Sequence, residues 1–428
     1  MLKKAEVNNF LVVLKEYKFP VPIINMSDLR FEVIKKIADI NFRYKNLDRI
    51  SELNTNSPPS VFIGSKLKYP LVNVGILSPL EKDENAWVYD APSYWAKQGF
   101  GIKDVISLRQ GLLNSRFQSK VTDPRQNSKK FVQIAQELAM ASKPVDVEIE
   151  LKEKINPGIK TKDKVVLPQG MGARLKNAKI TSNVKIDSRL DRAVNDDVKA
   201  SESVASLYGN NFNEYSLSQI LSVGVLGMKK DKKLVPTRWS ITATDDIIGK
   251  SLLKKIRDYQ WMENHELFFG EFMGNAYLIM FLPNVFSYEL FELYLPGSSW
   301  NPSKEIKAAT DYENYDGRKT YASNTAGGYY AARLPILEYL ESVKRQASVL
   351  VIRIELPSYC AALGVWVCRE AARKVLGNKK LEFNDIKELT ESSRKIGMIK
   401  FGFDTEKILR KSRIIENMKT QTNLGKWV

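Results

Sequence analysis

The sequence predicts an α+β fold (mixed α/β), with a strand-rich middle between helical N-terminal and C-terminal parts. Three observations predict it. Apolar residues recur at helical spacing near the start, and Pro- and Gly-punctuated or alternating β-rich runs fill the middle. The last third then passes from helix to strand to helix. A length of 428 residues exceeds one ordinary core and implies two or three domains. Three units are expected, at 1–300, 301–404 and 405–428.

In chain order, residues 4–50 read as helical, with Phe10, Leu11, Leu14 and then Ile34, Ile37 and Ile40 at helix-like intervals. SPPSVFIGSKLKYPLVNVGILSP (57–79) switches to two short β-rich runs, VFIG and LVNVGIL, in a hairpin or sheet edge. KDVISLRQGLLNSRFQ (103–118) reads as a helix, as does 128–142, and VDVEIEL (145–151) alternates as a strand. Lysines, prolines and glycines make 152–170 a surface connector. TRWSITATDD (237–246) alternates again, which predicts a strand with Arg238, Ser240, Thr242 and Thr244 on one face. EFMGNAYLIMFLP (271–283) and FSYELFELYLP (286–296) continue the strands. Helix GYYAARLPILEYLESV, strand ASVLVIRIEL and helix LGVWVCREAARKVL follow.

Composition narrows the function classes. A hydrophobic fraction of 43% with 27% charged residues belongs to a folded, soluble chain rather than a disordered one. The apolar run AYLIMFLPNVF (276–286) is too short for a bilayer and reads as a buried strand, and FLVVL (10–14) is too short for a signal-peptide core. An intracellular, cytoplasmic chain is expected, with no membrane partner. Cys360 and Cys368 read as buried thiols of a reducing compartment. With two cysteines and the single His265, no His/Cys zinc site is expected. A net charge of +17 favours a polyanionic partner through counterion release, so DNA leads and RNA follows.

Several residues are candidates for chemistry. Asp245 and Asp246, with Glu271 further on, have the carboxylates of a Mg²⁺-dependent phosphoryl-transfer site, the basis of a metal-dependent nuclease reading. Such a pair more often caps the helix that follows it, here IIGKSLLKKIRDY. Arg238 with Ser240 and Thr242 would bind phosphate from a strand face. Gly327-Gly328, ahead of a helix, would offer backbone N–H groups to a phosphate, although the Lys and Ser/Thr of a P-loop are missing. Aromatics lie beside cations at Trp87, Tyr89, Tyr94, Trp95 and Lys97, and at Tyr329, Tyr330 and Arg333. They suit base stacking or, by default, a core.

The C-terminal QTNLGKWV is sharper. Gln421, Leu424 and Trp427 recur every third residue, so a 3₁₀ turn would project all three on one side. Burying Leu424 and Trp427 would supply on the order of 2–3 kcal/mol each, enough for a micromolar tether. The segment resembles a PIP box, the peptide that docks proteins on the DNA sliding clamp (PCNA), with Val428 in place of the usual final aromatic.

The whole chain also resembles the archaeal Nre family. The resemblance is carried by SPPSVFIGSKLKYPLVNVGILSP (57–79), DAPSYW (90–95), LVPTRWSITATDD (234–246), GGYYAARLPILEYL (327–340) and LGVWVCREAAR (363–373). It implies an N-terminal and central Nre unit, a C-terminal Nre unit and a basic tail ending in the clamp motif. It also implies a role in DNA repair beside the nucleoid, with Gln421, Leu424, Trp427 and Val428 as the clamp contacts. Some members begin with a cysteine-rich zinc segment; MLKKAEVNNF has no such cysteines, so no zinc is carried over. The resemblance assigns no reaction. Mg²⁺ enters only if the chain is catalytic, and an RNA-binding or scaffold role is the remaining alternative.

Overall fold

A computed structural model describes residues 47–420 apart from 67, 126–128 and 159–164. The helix expected over 4–50 therefore lies outside the described residues, except for a 3₁₀ turn at Leu47–Arg49.

Two six-stranded sheets organise the molecule. The first begins with β1 (Glu52–Ser57), β2 (Val61–Ile63) and β3 (Leu71–Ser78). Helices α1 (Pro92–Gln98) and α2 (Ile102–Gln110) follow, then β4 (Leu113–Lys120), helix α3 (Lys130–Met140), β5 (Val145–Leu151) and β6 (Gly172–Ile180). Its strand order is β1-β5-β6-β4-β3-β2, antiparallel except where β4 meets β6. The expected β2–β3 hairpin and the alternation of β5 are both present, and Val145, Val147, Ile149 and Leu151 face the core.

The helix expected over 103–118 is only half right. α2 stops at Gln110, and LNSRFQSK is instead an interior strand between β3 and β6. Leu113 and Phe117, four apart, mimic a helical face, but the open edge of β3 takes this segment as its partner. The connector at 152–170 also reaches the interior: Ile155, Val165 and Val166 are buried.

Three helices link the halves, α4 (Ser188–Asn195), α5 (Ala200–Gly209) and α6 (Glu214–Ser222), before the 20-residue α7 (Thr237–Ile256). The second sheet then forms from β7 (His265–Phe272), β8 (Asn275–Leu282), β9 (Ser287–Tyr294) and β10 (Lys307–Glu313). After helix α8 (Ala326–Val343) come β11 (Ser348–Glu355), helix α9 (Trp366–Leu376) and β12 (Leu381–Phe383). Helices α10 (Ile386–Phe401), α11 (Glu406–Leu409) and α12 (Arg413–Thr420) end the described chain.

The order of the second sheet is β10-β9-β11-β8-β7-β12, with only β9 and β11 parallel. Both faces are covered. α7, α8 and α9 pack on one, over Tyr277, Ile279 and Phe281; α10 and α12 pack on the other, over Leu278, Met280 and Leu282. Two-sided burial explains why these strands read as continuous apolar runs. The segment 271–283 is not one strand, because Met273 and Gly274 form a two-residue hairpin turn between β7 and β8. Both have positive φ, 51° and 73°, as a primed turn requires. A Cβ on Gly274 would meet the Tyr359 nitrogen at 2.4 Å.

Candidate nucleic-acid interface

The strand expected over 237–246 is instead the first half of α7. Two of its hydroxyls bond within the helix: Ser240 Oγ donates to the Thr237 carbonyl, and Thr242 Oγ1 to the Arg238 and Trp239 carbonyls. At 3.6 residues per turn, Arg238 and Ser240 point to nearly opposite sides. Ser240 therefore leaves the expected phosphate-binding face, while Arg238 and Thr242, four residues apart, stay on one side of the helix beside Tyr321.

The candidate carboxylates separate in the same way. Asp245 turns inward and is 2% exposed, and Arg369 Nη2 of α9 donates to both of its oxygens at 2.6 Å. Arg369 also lies 3.8 Å from Glu214, which accepts from Arg373 at 2.7 Å, and its guanidinium sits 5.0 Å from the centre of the Tyr215 ring. Burial pushes the Asp245 carboxyl up to about 6 against the pull of Arg369. For Glu214 the balance goes the other way: burial opposes ionisation, but Arg373 and Arg369 hold it below the usual carboxylate range. Asp246 turns outward and accepts from Lys250 at 2.6 Å. Glu271 ends β7 by accepting from the Gly274 N–H at 2.7 Å. The three do not form one site, and no group of three or more His, Cys, Asp or Glu able to hold a metal occurs among the described residues.

Gly327 and Gly328 are buried in the first turn of α8, where packing explains them. A Cβ on Gly327 would press on Val165 and Val365 at 3.0 Å, and one on Gly328 would meet Glu292 Oε1 at 2.2 Å. Trp95 is a core residue, edge-on to Trp366 at 5.4 Å. Cys368 is the buried thiol expected, and burial pushes it up to about 11, whereas Cys360 is only partly buried. Gln421, Leu424, Trp427 and Val428 lie outside the described residues.

Two clefts flank α7. On its outer side a cleft of about 470 Å³ is lined by Lys250, Lys254, Arg257, Arg318, Lys319 and Arg333, against the carboxylates Asp246, Glu313 and Asp316. Arg333 is spoken for by its ion pair with Glu313. Lys254 and Lys319 have no carboxylate partner among the described residues and point to solvent. Two arginines shape the far wall: Arg257 donates to the Tyr315 carbonyl, and Arg318 to the carbonyls of Tyr312, Thr320 and Tyr321. This places Tyr321, about half exposed, in a stack on Tyr330 with ring centres 5.3 Å apart. Trp239, also half exposed, stands two turns before Asp246 on the same side of the helix. Exposed cations interleaved with exposed aromatics match both components of a nucleic-acid strand, phosphate and base.

On the inner side a cleft of about 310 Å³ gathers residues from the β1–β2 link, α1, the 165–169 segment, α6, α7 and α9. Of the aromatics the sequence offers for base stacking, Trp87 and Tyr94 line the inner cleft, and Tyr329 and Tyr330 line the outer one with Arg333. The lysines of the outer cleft had a further local signal in GKSLLKKIR and DGRKTY, whereas the segments that complete the inner cleft are too far apart in sequence to be grouped.

Comparison with known proteins agrees with the resemblance. Models of the archaeal Nre N-terminal and C-terminal regions match residues 28–301 and 313–427. The chain therefore belongs to the archaeal Nre family. It is 39% identical to DNA repair protein NreA of Archaeoglobus fulgidus, over 83% of this chain and 88% of that one. It is 37% identical to DNA repair protein NreA of Haloferax volcanii, over 84% of this chain and 88% of that one, and 32% identical to DNA repair protein NreB of A. fulgidus, over 78% and 82%. No solved structure matches the chain. No helix among the described residues is long and apolar enough to cross a membrane.

Proposed function

We propose that this chain acts in the repair of damaged DNA, binding DNA along the outer side of α7 and docking on the sliding clamp through its C-terminal segment. The observation that carries the repair role is likeness over about four-fifths of the chain to proteins named for DNA repair. The outer cleft supplies a suitable surface, with Lys250, Lys254 and Lys319 for phosphates and Tyr321 for a base. Gln421, Leu424, Trp427 and Val428 supply the clamp contacts, and clamp docking would hold a weak DNA binder at its substrate by raising local concentration. Nucleoid association would follow from these two partners.

Two measurements test this. Calorimetry with the clamp should give binding on the order of micromolar for the intact chain. That binding should vanish in a chain ending at Thr420 and in Leu424→Ala/Trp427→Ala. Full retention in either would remove the docking role. Duplex binding by Lys254→Glu/Lys319→Glu should be weaker at every sequence, with the slope of log K against log salt shallower by roughly 1 per lost phosphate contact. An unchanged slope would place DNA elsewhere on the surface.

A further inference from the structure

The inner cleft has chemistry that neither the buried ion network nor the cationic surface uses. We propose that it takes one nucleobase, turned out of the stack of a DNA strand; this rests on the DNA-binding role above. A volume of about 310 Å³ is at the low end of the roughly 300–1,000 Å³ of small-ligand sites, enough for a base and its sugar but not for a strand. Trp87, Tyr94 and Trp366 give it aromatic walls, with Ile241 and Val365 between them. Trp87 and Tyr94 brace each other edge-to-face at 4.8 Å.

Amides provide the polar edge. Gln219 Oε1 accepts from the Val61 N–H at 3.2 Å, and Asn213 Oδ1 from the Ser216 N–H at 2.8 Å. Each amide is thereby oriented, with its NH₂ left to donate to acceptors on a base edge. The charges in the walls are already paired, Asp90 with Arg109 at 2.9 Å and Glu214 with Arg369. The cleft is therefore suited to a neutral planar group, while the phosphates belong on the cationic side. α7 joins the two: Thr237 and Ile241 line the inner cleft, and Asp246, Lys250, Lys254 and Arg257 the outer one. A pocket of this kind selects damage, because a base that is already unpaired or damaged costs least to extrude.

The test compares a duplex carrying one bulged adenine with the same duplex fully paired. The intact chain should bind the bulged duplex roughly tenfold more tightly, the worth of one stacked base. Ile241→Trp, which fills the cleft, and Trp87→Ala, which removes a wall already 39% exposed, should both erase the preference and leave paired-duplex affinity in place. Lys254→Glu/Lys319→Glu should weaken both duplexes and keep the preference. Equal affinities for the two duplexes, or a preference that survives Ile241→Trp in a protein of unchanged melting temperature, would overturn the assignment. If neither duplex binds, the DNA-binding reading has failed, and adenosine monophosphate then tests the cleft by calorimetry. Heat that disappears in Ile241→Trp keeps the base site with a free nucleotide as its source. No heat removes the base site as well.

Discussion

The two sides of α7 follow opposite electrostatic rules. On the inner side Asp245, Arg369 and Glu214 are each at most 4% exposed and are paired with one another. On the outer side Lys250 has 59% of its side chain in solvent, and its pairing with Asp246 is a surface contact. Charges on the inner side have already given up their water and fix the approach of α9 and α6 to α7. Outer charges keep their water and can exchange it for a polyanion. The net charge of +17 thus says nothing about the inner side and a good deal about the outer one.

The largest expected effect breaks the inner pairing. Asp245→Ala leaves Arg369 buried with only the more distant Glu214, and losing one member of a buried pair costs about 3–5 kcal/mol. Lys250→Ala, one turn further along the same helix, should stay within about 0.5 kcal/mol. Urea unfolding of both variants measures the contrast. Costs of similar size for the two would mean that the inner side is as wet as the outer.

A smaller effect comes from the seam between α7 and α8. A Cβ on Gly249 would stand 2.6 Å from Arg333 Nη1 and 3.2 Å from Leu337 Cδ1, and Arg333 is held by Glu313. Overpacking of this kind costs about 1–3 kcal/mol, and the helical preference of alanine returns up to about 1 kcal/mol. Gly249→Ala should lower the melting temperature by about one to two degrees, since about 1 kcal/mol shifts it by roughly 1 °C in a chain of 428 residues. A rise would show that Arg333 yields.

Much of the fold was legible because local pattern and burial agree. β5 alternates because one face is buried, and β8 and β11 run largely apolar because both faces are. The family was legible from long strings such as LVPTRWSITATDD. The structure of that same string was not: ten alternating residues fit a strand, yet they open a helix in which Ser240 and Thr242 bond to their own backbone. The Met273–Gly274 turn was hidden because Phe272 and Met273 before its glycine and the run from Ala276 to Leu282 after it read as one apolar stretch. The site was legible only in part. Asp245 and Arg369 are 124 residues apart, so the reading that made Asp245 a metal ligand had no means of finding its partner.

The smallest effect separates two carboxylates of one network by their response to pH. Glu214 titrates below its ordinary value of 4.5, against burial, because Arg373 and Arg369 favour its charge. The unfolded chain therefore takes up that proton first as the solution is acidified. The stability Glu214 supplies is complete above about 4.5 and is lost as pH falls through its lower folded value. Asp245 has the opposite sign: raised from 3.8 to about 6, it makes the folded state less stable as pH rises through that window. Subtracting the melting curve of Glu214→Gln from that of the intact chain leaves the Glu214 titration together with the small part of the Asp245 shift that Glu214 causes, which falls between 3.8 and about 6. The intact chain should be the more stable at pH 7, and its advantage should shrink steadily below about pH 4.5. A gap that stays constant down to pH 3 would mean that Glu214 contributes by shape and hydrogen bonding alone, so the inner side of α7 would owe little to its charges.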